Sequence, residues 1–139
     1  MGRILAIDYG TKRVGLAVTD PLQIIATPLT TVHPKELVEF LKEYHKQETI
    51  EKFVIGLPRD LQNQDTNATQ VTENFIKHLK KVFPNQTVHT VDERFTSKIA
   101  FNAMLEGGMK KKDRRKKENI DKLSATVILQ SFLESNQLL

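Results

Sequence analysis

RILAIDYGTKRVGLAVT, residues 3–19, is the stretch that decides the fold. Ile4, Leu5, Ala6 and Ile7 are apolar on both faces of an extended chain, the pattern of a central strand, and Asp8 ends the run. Val14–Thr19 repeats the apolar pattern, and the intervening Gly10-Thr11-Lys12-Arg13 is short enough for a hairpin, with Gly10 permitting a tight reversal. The stretch predicts strands over 3–9 and 14–19 that pair antiparallel. Asp8 follows Ile4 and Ala6 on one face, so a charge closes an otherwise apolar row.

Working outward, residues 27–32 read as a third strand, with Pro28 marking an edge or an irregular start. At Pro34 the period changes: Leu37, Val38, Leu41 and Tyr44 make a helical stripe through about residue 46. Residues 52–57 return to a buried-type strand, and 58–65 are a polar loop. A helix over 66–82 is predicted from Ala68, Val71, Phe75, Leu79 and Val82, followed by a strand over 87–92. Helices over 97–106 and 119–134 complete the order, with Gly107-Gly108 between them. Three strands in a meander, then helix, strand, helix, strand, imply parallel pairing through right-handed crossovers. The expected fold is α/β: a mixed five-stranded sheet flanked by helices, in one domain over 1–139.

Lys and Arg total 21 against 17 Asp and Glu, a net charge of +4. The excess comes from one place. Lys110-Lys111-Lys112-Asp113-Arg114-Arg115-Lys116-Lys117 holds seven basic residues and one acid, and without it the chain is net negative. Such a run is a solvated loop or a grip on a polyanion. The chain has no cysteine, which excludes disulfides and Cys-ligated zinc or iron–sulfur sites and fits a reducing cytosol. The apolar stretch Ile4–Ile7 is far too short for a leader or a spanning helix, so a soluble, cytoplasmic protein without a membrane partner is expected.

Three carboxylates draw notice by position. Asp8 ends the first strand. Glu93 follows the fifth, where open α/β sheets bind ligands; Asp92 is the alternative, since neighbours in a strand point to opposite sides. Asp121 sits in the first turn of the last helix, on the stripe of Ser124, Ala125 and Ile128. Each has a plain structural account: a solvated strand end, a pair with Arg94 or Lys98, an acid suiting the helix dipole. Converging at one edge of the sheet, they would repel one another unless divalent cations neutralised them, and hard oxygen ligands favour Mg²⁺ or Mn²⁺. The histidines at 33, 45, 78 and 89 have no metal-ligand spacing and read as surface or packing residues.

The segments DYGTKRVGLAVTD (8–20), VIGLP (54–58), DERFTS (92–97) and NIDKLSATVILQSFL (119–133) resemble the YqgF family of the RNase H-like superfamily, which also holds the RuvC resolvases. The resemblance implies an RNase H-like fold and a nuclease in which Asp8, Glu93 and Asp121 hold the metal. It implies a nucleic-acid border formed by Gly10, Thr11, Lys12, Arg13, Gly56, Leu57, Pro58 and Arg94, to which the basic run adds Lys110, Lys111, Lys112, Arg114 and Arg115. Where family members often carry a glycine soon after GLP, this chain has Arg59-Asp60-Leu61-Gln62-Asn63-Gln64-Asp65.

The family name points to 5′ maturation of pre-16S rRNA, with a ribosomal small-subunit precursor as partner. Kinship with RuvC points instead to Holliday junctions, which a dimer would resolve. No heptad or long apolar surface helix announces a dimer, which favours RNA and leaves the oligomeric state open. A third reading keeps the fold as a non-catalytic RNA-binding assembly factor. Asp8-Tyr9-Gly10-Thr11 also fits the phosphate loop of actin-like ATPases, but those need two such lobes and 139 residues supply one.

Overall fold

The computed structural model describes the backbone of residues 2–57, 67–92 and 117–137, and the side chains of 2–57, 69–92 and 124–135. The described elements run β1 (Arg3–Tyr9), β2 (Val14–Thr19), β3 (Ala26–Val32), a 3₁₀ turn (Pro34–Glu36), α1 (Leu37–Gln47), β4 (Ile50–Leu57), α2 (Asn67–Val82), β5 (Thr87–Asp92) and α3 (Lys117–Gln137). The strands form one sheet in the order β3-β2-β1-β4-β5. The β1–β2 and β2–β3 pairs are antiparallel, and β1–β4 and β4–β5 are parallel. This is the mixed five-stranded sheet expected from the element order. The helix expected over 97–106 lies outside the described residues.

Strand alternation sorts the core into two layers. Leu5, Ile7, Val14, Leu16, Phe53 and Ile55 face α1 and α2, where Leu37, Leu41, Phe75, Ile76 and Leu79 meet them. Ile4, Ala6, Ala17 and Val54 face α3 through Ala125, Ile128, Leu129, Phe132 and Leu133. Burying side chains such as Phe53, Leu16 and Ile7 contributes about 1.5–3 kcal/mol each, so the central strands anchor both layers. Small Ala6 and Ala17 on the second face let α3 lie across the sheet, touching all five strands.

Local chemistry sets the element boundaries. His33 ends β3, and its Nδ1 accepts the Lys35 N–H while Pro34 opens the 3₁₀ turn, so regular helix begins only at Leu37. After α1, the Ile50 N–H donates to His45 Nδ1 at 3.0 Å, and β4 starts at Ile50, two residues before the expected 52. Pro28 lies on the edge strand β3, where Leu29 is skipped between the Leu16–Thr30 and Ala17–Pro28 pairs.

The inward stripe of α2 differs from the expected one. Val71 is 37% exposed, whereas Thr69 and Thr72 are fully buried ahead of Phe75, Ile76, Leu79 and, past the helix end, Phe83. Two threonines hid that face from a reading by apolar spacing, yet both are buried in it and neither is without a partner. Among the described residues no helix is long and apolar enough to cross a membrane.

Candidate active site

β1 carries Asp8 to the rim of a depression at the carboxyl end of the parallel strands. Ile4 and Ala6 pack toward α3, so the half-buried Asp8 belongs to that face by alternation. The chain reverses at once: Tyr9 pairs with Val14, leaving Gly10–Arg13 as the turn. A Cβ built on Gly10 would lie 2.5 Å from the Arg13 carbonyl oxygen, so glycine is required for closing the turn this tightly. Asp8, Gly10, Thr11, Lys12 and Arg13 line a pocket of about 240 Å³. Thr11 and Lys12 are exposed, and Arg13 is partly buried. One carboxylate, two cations and a hydroxyl at a tight turn can hold a phosphate group beside an acid.

The sheet register separates the two neighbouring acids at the end of β5. His89 pairs with Val54, and Val91 packs with the α3-facing core, so Asp92 belongs to the opposite face, away from Asp8. Position 93 is the next of the same parity as His89 and Val91; Glu93 and Arg94 themselves lie outside the described residues. Gly56 and Leu57 close β4 beside Val91 and Asp92, and both are buried, so this strand end presents backbone rather than side chain. Pro58 and the basic residues Lys110, Lys111, Lys112, Arg114 and Arg115 also lie outside the described residues. Asp121 stands in α3 one turn before Ala125, on the stripe that continues through Ile128 and Phe132 into the core.

No histidine lines the pocket. His33 and His45 accept backbone N–H groups through Nδ1, and His89 shares a hydrogen bond with Thr87 Oγ1 at 3.1 Å. Among the described residues no three His, Cys, Asp or Glu side chains are grouped to hold a metal; of the three acids singled out, only the side chain of Asp8 is among those described.

Sequence reasoning missed a second concavity at the far end of β1. A cleft of about 420 Å³ is lined by Arg3, Val18, Thr19, Asp20, Thr27, Pro28, Leu29, Tyr44 and Glu48. Arg3 donates to the Thr19 carbonyl at 3.0 Å and to Glu48 Oε2 at 3.3 Å. Burial pushes the Tyr44 phenol up, with Arg3 opposing the shift and Glu48 adding to it. Arg3, Tyr44 and Glu48 are too far apart in the chain for any spacing rule to join them.

A family model described as RuvX, Holliday junction resolvase, matches residues 2–135. A protein of Amoebophilus asiaticus is 58% identical over 135 residues, covering 97% of this chain and 96% of the relative. One from Bacteroides fragilis is 51% identical over 138 residues, covering 99% and 100%. Both carry the description "Putative pre-16S rRNA nuclease". Among solved structures, Thermus thermophilus RuvC in complex with a Holliday junction substrate aligns with a TM-score of 0.60 at 18% identity, over 99% of this chain and 96% of that one, a likeness of fold.

Proposed function

The chain belongs to the RuvX family, and from that premise we propose that it is a metal-dependent nuclease hydrolysing phosphodiester bonds in the 5′-end maturation of pre-16S rRNA. The observation that carries the reading is Asp8, held at the end of the central strand in a pocket it shares with Thr11, Lys12 and Arg13. The description carried by relatives at 51–58% identity over nearly their whole length supports rRNA as substrate.

Asp8, Glu93 and Asp121 are the proposed metal-holding acids. The donor chemistry fits: the pocket offers a carboxylate and a hydroxyl, no histidine lines it, and the chain has no cysteine. Such oxygen donors suit Mg²⁺ or Mn²⁺ rather than zinc. When bound, a pair of these ions supplies neutralising charge at the scissile phosphate and makes a water more acidic. The chain's own part is to orient. Lys12 and Arg13 attract the phosphate, Thr11 and the turn backbone offer hydrogen bonds to its oxygens, and the Asp8 carboxylate would hold a cation at the strand end. The basic residues at 110–115 extend the grip along the nucleic acid.

A second reading, resolution of branched DNA, is favoured by the description of the family model. One experiment separates the two. Purified protein is incubated with labelled precursor rRNA, single-stranded RNA or a four-way DNA junction, each with Mn²⁺, Mg²⁺ or EDTA, beside Asp8→Asn. The expected result is metal-dependent cutting of precursor rRNA that the variant lacks. Preference for the junction transfers the function to resolution, and binding without cutting supports an assembly factor.

A further inference from the structure

The sheet divides at the place where it carries Asp8. The β1–β4 ladder pairs residues only as far as Ile7 with Ile55. Beyond that point β4 continues with β5, through Gly56–Val91 and Leu57–Asp92. β1 continues with β2 alone, through Asp8–Gly15 and Tyr9–Val14. Backbone groups alternate in direction along a strand. The Arg3 N–H faces away from β2 to the Thr49 carbonyl, and the Ile4 N–H faces Thr19 on β2. Asp8 therefore faces Gly15 on β2, and it is Tyr9 that stands past the last β1–β4 pair.

A side-chain contact spans the division from the other face. The Tyr9 ring lies flat on Phe75, with centroids 4.4 Å apart and planes at 12°. Phe75 is buried at 8% exposure in the layer that packs Ile76 and Leu79 on the sheet, and α2 rests on β4 and β5. Tyr9 thus ties the end of β1, beyond its last pair with β4, to a helix seated on the other half of the sheet. Its side chain faces away from Asp8 and does not line the pocket.

We infer that the Tyr9–Phe75 stack is a positioning device that holds the end of β1, past its last pair with β4, against α2. It sets where Asp8 stands relative to the ends of β4 and β5, and so tunes metal binding and turnover without touching substrate. The inference rests on Asp8 being a metal-holding acid. A stacked aromatic pair contributes about 0.5–1.5 kcal/mol beyond its buried area, which corresponds to a change of about two- to tenfold in a rate or a binding constant.

The test compares Tyr9→Leu, Phe75→Leu, the stack-preserving Tyr9→Phe, and Asp8→Asn in the full chain, with thermal melts to verify folding. Three quantities are read: Mn²⁺ binding by electron paramagnetic resonance, hydrogen exchange of the Asp8, Tyr9 and Gly10 amides, and kcat and KM for the cleaved substrate. Either leucine variant is expected to weaken Mn²⁺ binding and lower kcat by about two- to tenfold, to speed exchange at the three amides, and to leave KM unchanged. Tyr9→Phe is expected to behave as the parent. Because Tyr9 is only partly buried, its leucine variant tests the clamp if Phe75→Leu unfolds. A folded Tyr9→Leu with parental exchange, Mn²⁺ binding and kcat overturns the clamp alone, provided Asp8→Asn has lost metal and activity. Asp8→Asn that still binds Mn²⁺ and cleaves removes the underlying reading, and the positioning role falls with it.

Discussion

The imidazole of His89 lies against the ring of Phe132, with centroids 5.0 Å apart and planes at 47°, and so joins β5 to α3. Burial, with Lys52 nearby, lowers the His89 pKa below the ordinary 6.5. The folded chain therefore binds this proton less readily than the unfolded chain. Stability is full above about pH 6.5 and falls as the pH drops from there toward the lowered folded value. His89→Phe removes the titration while keeping a ring against Phe132. Urea midpoints at pH 7.5 and 5.5 are expected to differ less in this variant than in the parent.

Asp8→Asn keeps the shape of the side chain and removes its charge. Metal-dependent cleavage is expected to fall to background while a thermal melt shows that the chain still folds, since the partly buried side chain keeps its volume. Parental activity in this variant removes Asp8 from the chemistry.

Gly10→Ala places a methyl group 2.5 Å from the Arg13 carbonyl oxygen, so the turn must open. The expected cost is about 1–3 kcal/mol of stability. KM is expected to rise, because Thr11, Lys12 and Arg13 lose their arrangement around the pocket. Denaturant midpoints and steady-state kinetics measure the two effects separately.

The Asp20 carboxylate accepts the N–H groups of Leu22, Ile24 and Ile25 at 3.1, 2.8 and 2.7 Å. The bonds from Ile25 and Ile24 hold its pKa below the usual 3.8, so they persist to more acid pH than an ordinary aspartate would allow. Their contribution is present above pH 3.8 and is lost as the pH falls through the lowered folded value. Asp20→Ala is expected to speed hydrogen exchange at these three amides and to leave cleavage intact. Unaltered exchange would show that the loop holds its form without the carboxylate.

Neutralising Lys110, Lys111 and Lys112 with glutamine tests the basic run. If each contacts one phosphate of single-stranded RNA, the slope of log K against log salt should flatten by about 2, at roughly 0.7 per contact. An unchanged slope assigns the run to solvent.

The sheet was legible because its signals are local. Ile4–Ile7 is apolar without interruption, Val14–Val18 carries no polar side chain, Gly10 marks the turn, and Pro28 marks the edge. β5 fell on its expected bounds, while β4 began earlier because Glu51 and Lys52 masked the buried Ile50. α3 extends beyond 119–134 at both ends, since Lys117-Glu118 and Ser135-Asn136-Gln137 continue the helix with polar residues that apolar periodicity does not count. At the site, alternation put Asp92 and its neighbour on opposite sides without saying which shares the face of Asp8; the register of β5 puts Asp92 on the other face. The end of the β1–β4 ladder and the Tyr9–Phe75 stack were not legible. Both depend on how distant segments meet, and an aromatic residue beside a turn reads as ordinary core.

The order of the sheet also imposes a schedule on the chain as it is made. β1, β2 and β3 pair with their neighbours in sequence and close short loops, so the meander assembles early. The face formed by Ile4, Ala6, Ala17 and Val54 waits for α3, which begins only at Lys117. Until that helix emerges, the nascent protein displays an apolar sheet to its surroundings, and a chain cut short before residue 117 should be a client of chaperones or proteases rather than an enzyme.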